Sequence, residues 1–185
     1  MKEDHERTYK HSDKSKVSIS ELMLPSHSNF SGKIHGGHIL NLMDQIAFAC
    51  ASKHSANYCV TASVNRVDFL TPIEVGELLT MKAMVNFTGN TSMVVGVRVE
   101  TENIRTGEVK HANSSYFTMV AKGADGKSVH VPGLILDSVE AVRRYARSMK
   151  RNQEARAATK FKSEEFNVEE FLDQIDGQNA MVMLS

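Results

Sequence analysis

Two neighbouring glycines stand at the start of an apolar, helix-like stretch. Gly36 and Gly37 precede apolar residues that gather on one broad face at helical spacing, namely Ile39, Leu42, Met43, Ile46, Ala49 and Cys50. Because glycine has no side chain, a ligand carbonyl can approach the first backbone N–H groups of such a helix closely, and the helix dipole favours developing negative charge there. The pair therefore predicts the outline of an oxyanion-binding site.

One carboxylate lies further along the same stretch. Asp44 comes two helical turns after Gly37, on almost the same side of the helix. A carboxylate at this place could act on a group that is held at the helix N-terminus. The same position also lies opposite the centre of the apolar face, where a solvated aspartate is common. Spacing alone favours the solvated aspartate and leaves the catalytic interpretation open.

The histidines of this region are candidate metal ligands. His35 and His38 are three residues apart and could join His54 around an ion. No paired carboxylate and no cysteine motif accompanies them, so the sequence predicts no metal site. We expect no separate cofactor.

A serine or a cysteine is an alternative nucleophile. Ser31, His35 and Asp44 can be written as a hydrolase triad, but the sequence lacks the G-x-S-x-G nucleophile elbow. Cys50 falls on the apolar face and is interpreted as a small buried hydrophobe. Neither residue is predicted to be the nucleophile.

Hydrophobic periodicity predicts the elements that must position these residues. A first strand begins at Val17 and ends at Pro25, the helix follows Gly36, and four strand-like runs come after it. Short links with turn residues join the runs, which indicates antiparallel neighbours. An antiparallel sheet wrapped around one helix makes the fold class α+β. The runs are Cys59–Leu70, Leu78–Phe87, Met93–Thr101 and Val109–Ala121.

Composition divides the chain into three regions. Residues 1–16 are charged and show no hydrophobic periodicity, so we expect a flexible polar tail. Residues 17–132 hold the folded domain. Residues 133–185 are rich in charged, helix-forming residues and are expected to form a helical extension, which begins near a capping-box-like sequence, Asp137-Ser138-Val139-Glu140.

Charge balance and cysteine content limit the partners and the compartment. The 185 residues contain 22 Lys plus Arg and 22 Asp plus Glu, which argues against a general nucleic-acid-binding protein. No apolar run is long enough to span a bilayer, and the first residues lack the apolar core of a secretory signal. Two cysteines form no disulfide framework. A cytoplasmic protein is expected.

An ordered set of motifs makes the chain similar to a known family. The motifs are Asn29-x-x-Gly32-x-x-x-Gly36-Gly37, Asp44 on the helix, Val67-Asp68-Phe69-Leu70-x-Pro72-x-x-x-Gly76-Glu77, and Gly89-x-Thr91-Ser92 before a strand. Over residues 18–131 the chain resembles the hot-dog-fold acyl-CoA thioesterases, above all the YciA-like enzymes and the brain-type acyl-CoA hydrolases. The resemblance implies an antiparallel sheet wrapped around one long helix. It also implies side-by-side dimers that assemble further, as dimers of dimers or trimers of dimers, with active sites at the dimer interface.

The same resemblance implies hydrolysis of acyl-CoA to a free acid and CoA. Gly37 and His38 would present backbone N–H groups to the thioester oxygen. Asp44 would serve as general base for water or as a nucleophile that forms an anhydride. Asn29 of the opposite subunit would orient the water or the carbonyl.

The resemblance also implies a set of residues that bind the substrate and its CoA part. His35 and Gly36 would bind the substrate or its CoA part, and a strand junction would contact the nucleotide and the pantetheine. Arg66 is a candidate for the phosphates. The strand junction comprises Gly89, Thr91 and Ser92.

Two other functions fit a hot-dog fold. A non-catalytic module that binds acyl-CoA and regulates a partner is the main alternative, although the polar N-terminal region is too short for a helix-turn-helix. A hydratase of the same fold would carry D-x-N-x-x-H and F-P-G-H-x-P-G patterns, and the sequence has neither.

Overall fold

The order of elements confirms the predicted α+β class. The computed structural model describes residues 8–161, so residues 162–185 of the predicted helical extension lie outside the described residues. Two 3₁₀ turns, Ser12–Ser15 and Pro25–His27, accompany the main elements. The helices are α1 (Gly36–Ser55) and α2 (Val139–Phe161), and the strands are β1 (Tyr9–His11), β2 (Val17–Leu22), β3 (Tyr58–Val64), β4 (Asp68–Phe69), β5 (Glu77–Thr88), β6 (Ser92–Asn103), β7 (Glu108–Lys122) and β8 (Gly133–Ile135).

A six-stranded antiparallel sheet holds the described domain together. Its strand order is β2-β5-β6-β7-β3, and β4 pairs with β7. Successive side chains of a strand point to opposite faces, so every second residue of the long strands faces the core. The resulting buried face includes Leu79, Met81, Ala83 and Val85 of β5 with Val95, Val97 and Val99 of β6.

Helix α1 packs its apolar side against this face. Ile39, Met43, Ile46 and Cys50 are at most 1% exposed and belong to the same core cluster as the strand residues. The helix ends at Ala56, whose left-handed backbone (φ 58°) closes the last turn through a hydrogen bond from its N–H to the Ser52 carbonyl at 2.8 Å. A curved antiparallel sheet around one long helix is the architecture that the resemblance implied.

The segment before residue 17 differs from the predicted flexible tail. Residues 9–15 form β1 and a 3₁₀ turn, and β1 pairs in parallel with β8. The Lys10 ammonium donates to the His54 carbonyl at 2.7 Å, and the buried Ser15 hydroxyl accepts the Val85 N–H at 3.0 Å. These partners are distant in sequence, so local polarity did not reveal them.

Two predicted boundaries also shift. The run 59–70 is divided into β3 and β4, since the chain bulges between Thr61 and Ser63 and loops through residues 65–67. Helix α2 is capped one residue later than the sequence suggested, because the Ser138 hydroxyl accepts the Ala141 N–H at 3.1 Å while Asp137 contacts His11 Nδ1 at 2.8 Å.

The chain divides into two compact units at residues 149 and 150. The described part of the second unit is the end of α2, where Lys150 and Glu154 lie one turn apart, 4.0 Å from each other. All residues of the candidate site belong to the first unit.

Both cysteines are buried free thiols. Burial raises the pKa of Cys50 to about 12, so this thiol stays protonated and serves as a core side chain. Neither described helix combines the length and the apolar character that crossing a membrane requires.

The buried His54 makes stability depend on pH. Burial lowers its pKa, the Lys10 ammonium acts in the same direction, and the Pro132 carbonyl, 3.0 Å from Nε2, opposes both. The unfolded chain therefore binds more protons below the ordinary pKa of 6.5, and stability falls as the pH falls through that value. We expect urea unfolding curves at pH 7.5 and 5.5 to show this decrease and His54→Gln to reduce it. The exposed His130→Gln is the matched control; an equal pH dependence in all three proteins would contradict the assignment.

Candidate active site

His35 organises the N-terminus of α1. Its Nδ1 atom accepts the Gly37 N–H at 2.9 Å, and its carbonyl accepts the His38 N–H at 3.0 Å. Both N–H groups that the family resemblance assigned to oxyanion binding thus have partners inside the first helical turn. A ligand oxygen can receive the Gly37 N–H only if the His35 imidazole turns away.

The first glycine makes room for an aromatic ring. A Cβ atom at Gly36 would lie 3.2 Å from Cζ of Phe69, so the absence of a side chain lets this ring of β4 stand against the helix N-terminus. A cavity of about 360 Å³ adjoins the contact and joins the helix start to the β4 loop. Its lining is Lys33, Ile34, Gly36, Ile39, Phe69, Leu70, Thr71, Pro72 and Ile73.

Asp44 is half-buried and tied to the sheet. Its Oδ1 atom accepts a hydrogen bond from the Thr61 hydroxyl at 2.5 Å, and Thr61 also contacts Sδ of Met119 at 3.4 Å. The carboxylate lies at a cavity of about 470 Å³ with mostly apolar walls, formed by Leu40, Asn41, Asp44, Val64, Asn65, Val67 and Phe117. The Asp44 carboxylate is thus hydrogen-bonded to the sheet, and its catalytic role stays a prediction.

Thr61 is the site residue that the sequence analysis missed. It lies in β3, seventeen positions after Asp44, and only the packing of α1 on the sheet brings the two side chains together. The available signal was weak, because a threonine in a strand-like run is ordinary.

The side chain of Asn29 stabilises the loop that contains it. Its Oδ1 atom accepts the Ser31 N–H at 2.9 Å, the Ser31 hydroxyl at 2.7 Å and the Lys33 N–H at 3.2 Å. Gly32 has a φ of 78°, the left-handed backbone that this turn requires. The side-chain NH₂ group is the part of Asn29 that remains for a ligand or a second subunit. Because Ser31 is engaged with Asn29, it forms no triad with His35 and Asp44.

The strand junction at residues 89–92 is a β5–β6 hairpin. The Gly89 N–H donates to the Ser92 carbonyl at 2.7 Å, and the Thr91 carbonyl accepts the Ala121 N–H at 3.0 Å. Ser92 pairs with Val120 across the sheet. The next row of paired residues contains Met93, Met119 and Thr61. Neighbouring rows face opposite sides of a sheet, so Ser92 and Thr61 lie on opposite faces within one protomer.

Arg66 belongs to the loop between β3 and β4. Its guanidinium pairs with Asp68 at 2.8 Å, and its side chain is 86% exposed. The flanking Asn65 and Val67 both line the Asp44 cavity. Arg66 is therefore a cation beside that cavity.

The three histidines considered as a metal set do not converge. His35 caps α1, and the buried His54 contacts the Pro132 carbonyl. His38 Nε2 lies 3.1 Å from Glu21 Oε1, in a cluster with His27. Neither Glu21 nor His27 belongs to the ligand set that spacing suggested.

Comparison with known proteins places this arrangement in a family context. A family model described as "Thioesterase superfamily" matches residues 31–108. The chain is 43% identical to Protein VdlD of Helicobacter pylori, over 76% of this chain and 80% of that protein. It is 33% identical to an uncharacterized acyl-CoA thioester hydrolase, YkhA, of Bacillus subtilis, over 76% and 81% of the two chains.

Solved structures of acyl-CoA thioesterases and hydrolases are also similar to this chain. An apo-hexameric acyl-CoA thioesterase superposes with a TM-score of 0.76 at 38% identity, over 82% of this chain and 98% of that one. An acyl-CoA hydrolase of Staphylococcus aureus in complex with butyryl-CoA, CoA and CoA disulfide superposes with a TM-score of 0.72 at 30% identity, over 84% and 99%. Alanine mutants of an aspartate, a threonine and an asparagine of the S. aureus hydrolase also match.

The His35 cap has a measurable effect on stability. Replacing His35 with alanine removes the acceptor of the Gly37 N–H, and losing a helix N-cap costs about 0.5–2 kcal/mol. We expect His35→Ala to lower the free energy of unfolding in urea by this amount. His35→Asn, which keeps a capping acceptor, is the matched control and should recover most of the loss. Equal stability of wild type and His35→Ala would show that the imidazole does not cap α1.

Proposed function

The chain belongs to the acyl-CoA thioesterases of the thioesterase superfamily, and from this premise we propose that it hydrolyses acyl-CoA with Asp44 as the group that activates water. The observation that carries the proposal is the Asp44–Thr61 pair at the wall of an apolar cavity. The Thr61 hydroxyl occupies Oδ1 of the carboxylate and fixes its direction. Oδ2 is then the oxygen that takes a proton from water.

The reaction needs little beyond this carboxylate and an oxyanion site. Water attacks the thioester carbon while Asp44 takes one of its protons, and the carbonyl oxygen becomes an oxyanion. The C–S bond then breaks, the electron pair leaves with sulfur, and the CoA thiolate takes up the proton from Asp44. Because a thiolate leaves readily, the leaving group needs no strong general acid. The products are the free acid and CoA.

The oxyanion would be bound at the N-terminus of α1. The Gly37 N–H currently donates to His35 Nδ1, so the substrate oxygen would replace the imidazole as its acceptor. This exchange keeps the N–H hydrogen-bonded before and during the reaction, and the helix dipole favours the anionic acceptor. His35 and Gly36 would border the bound thioester.

Asp44 can in principle attack the thioester carbon itself and form an anhydride. Both routes use the same residues, and isotopic labelling separates them. In a single turnover in H₂¹⁸O, direct attack of water puts the label into the product acid only, whereas hydrolysis of an anhydride at the aspartyl carbon puts it into Asp44.

A second copy of the chain would complete the site. Strand β3 is one of the two end strands of the sheet, and an unpaired edge strand is a template for pairing with another chain. Large apolar side chains are exposed on or near β3 and on α1, which supports burial in a subunit contact: Phe48, Tyr58, Val64, Phe69 and Leu70. In this arrangement Asn29 of the partner would reach Asp44, and the hexameric relative supports further assembly.

The partner would also explain the CoA contacts. Ser92 lies on the sheet face opposite Thr61, so the hairpin of Gly89, Thr91 and Ser92 would contact CoA bound at a neighbouring subunit's site. Arg66, exposed beside the Asp44 cavity, is suited to a phosphate because guanidinium groups bind phosphate oxygens in pairs. The preference for acyl groups of a given length would be set by the residues that line the Asp44 cavity.

Removing the carboxylate should strongly reduce turnover. We expect Asp44→Asn to lower kcat by about 100-fold or more, the usual contribution of general base catalysis, while CoA binding persists. The measurement is thiol release from a panel of acyl-CoAs, with Asp125→Asn in an exposed turn as the control. Equal turnover by Asp44→Asn and wild type would contradict the assignment. A wild-type protein that binds CoA but releases no thiol from any acyl-CoA would instead favour the regulatory module.

Thr61 should affect catalysis through the direction of the carboxylate. Thr61→Val keeps the shape but removes the hydroxyl, and we expect about a tenfold loss of kcat with a smaller change of KM, since one charge-assisted hydrogen bond is lost. Thr61→Ser keeps the hydroxyl and should retain most activity. If Thr61→Val and Thr61→Ser behave alike, the hydrogen bond has no role in the reaction.

Hybrid oligomers test whether two subunits form one site. Asn29→Ala and Asp44→Asn should each be nearly inactive. In a hybrid dimer one site regains both native residues, so random mixing should restore about a quarter of wild-type activity per dimer. Each variant alone, at the same concentration, is the control. No recovery in a mixture that is shown to contain hybrids would place both residues in the same protomer's site.

A further inference from the structure

Three side chains of types that can bind a metal, from three separate elements, meet beside the N-terminus of α1. Glu21 comes from β2, His27 ends a 3₁₀ turn, and His38 lies in the first turn of α1. Their ligand atoms, one per residue, all lie within 4.8 Å of one another. Oε1 of Glu21 is 3.1 Å from Nε2 of His38 and 3.7 Å from Nδ1 of His27.

The surroundings of the carboxylate favour a cation. Within residues 8–161, the ion-pair partners of Glu21 are these two imidazoles, and an imidazole carries a positive charge only when it is protonated. The side chains are also partly withdrawn from water, at 19%, 23% and 32% exposure for His27, His38 and Glu21. A partly desolvated carboxylate with two nitrogen ligands beside it is stabilised by a bound cation.

We propose that Glu21, His27 and His38 form a binding site for a divalent transition-metal ion, with Zn²⁺ as the best-suited ion. Two imidazole nitrogens and one carboxylate oxygen are a known type of three-residue zinc ligand set, which leaves a fourth position for water. Hard cations such as Mg²⁺ and Ca²⁺ prefer oxygen ligands and fit this set less well.

Binding requires a small local rearrangement. The two rings are stacked, with centroids 4.0 Å apart and an interplanar angle of 23°, so they must rotate until their lone pairs converge on one point. His27 Nδ1 must also release the Leu24 N–H, a long hydrogen bond of 3.3 Å. Zinc–nitrogen distances of about 2.0–2.1 Å need only a modest closing of the cluster.

The ion would fasten three segments together. His27 accepts the His35 N–H through its own carbonyl at 2.8 Å, so the loop before α1 already contacts the helix cap. A metal shared by Glu21, His27 and His38 would add a direct link between β2, this loop and α1. We therefore expect bound metal to stabilise the fold, and this expectation does not rest on the proposed hydrolysis.

Metal titration of the full chain tests the site. After removal of metal with EDTA, we expect isothermal titration calorimetry to show one Zn²⁺ per chain and thermal unfolding to show a rise of Tm that saturates at the same ratio. Glu21→Gln and His27→Gln should each weaken binding at least tenfold, and His130→Gln, an exposed histidine outside the cluster, should not. Absence of stoichiometric binding, or an equal loss in His130→Gln, overturns the proposal.

Cobalt supplies a second readout that does not depend on stability. Co²⁺ held by two nitrogens, one carboxylate oxygen and water in tetrahedral geometry gives intense visible bands that octahedral aqueous Co²⁺ lacks. We expect these bands in the wild type and His130→Gln and their loss in Glu21→Gln. Thermal unfolding in EDTA shows whether each variant is folded, and His27→Gln keeps the test decisive if Glu21→Gln is not. Wild-type spectra identical to aqueous Co²⁺ count against the site.

Discussion

The packing of α1 against the concave face of the sheet is the constraint on which the site depends. A helix with 3.6 residues per turn can turn only one side to the sheet, and Ile39, Met43 and Ile46 occupy that side. Asp44 then falls at the margin of the packed face, close enough to β3 to meet Thr61. The same burial that stabilises the fold thus sets the carboxylate at an apolar wall and gives it one directed hydrogen bond. Electrostatic effects are stronger at such a wall than in bulk water.

The helix N-terminus combines stability with access. His35 Nδ1 satisfies the Gly37 N–H in the protomer, as an N-cap should, yet this N–H is also suited to an oxyanion. A capping side chain on a rotatable bond reconciles the two roles, because the acceptor can be exchanged without leaving an N–H group unpaired. Gly36 admits the Phe69 ring, so β4 shapes the helix start from the other side.

Three features of the described residues suit the proposed contact with a second copy. Strand β3 is one of the two end strands of the sheet, apolar side chains around it are exposed, and Ser92 of the 89–92 hairpin lies on the sheet face opposite Thr61. Within the proposed function these three features belong together, since one protomer would supply the carboxylate and neighbouring copies would supply Asn29 and the CoA contacts. The side chains of Glu21, His27 and His38 take no part in this division of roles, although they lie beside it on the elements that hold the start of α1.

The elements and residues that depend on local pattern could be predicted from the sequence. Period-2 and period-3.6 hydrophobicity identified β5, β6, β7 and α1, and the glycine pair with Asp44 two turns away marked the candidate site. Contacts between residues far apart in sequence could not be predicted and follow from how the chain folds. Strand register and the path of the chain bring Thr61 to Asp44. They also bring His27 and Glu21 to His38, and they pair β1 with β8. Local spacing carries no information about register between segments far apart in sequence. It therefore could not show that Thr61, among the residues of β3, is the one that contacts Asp44.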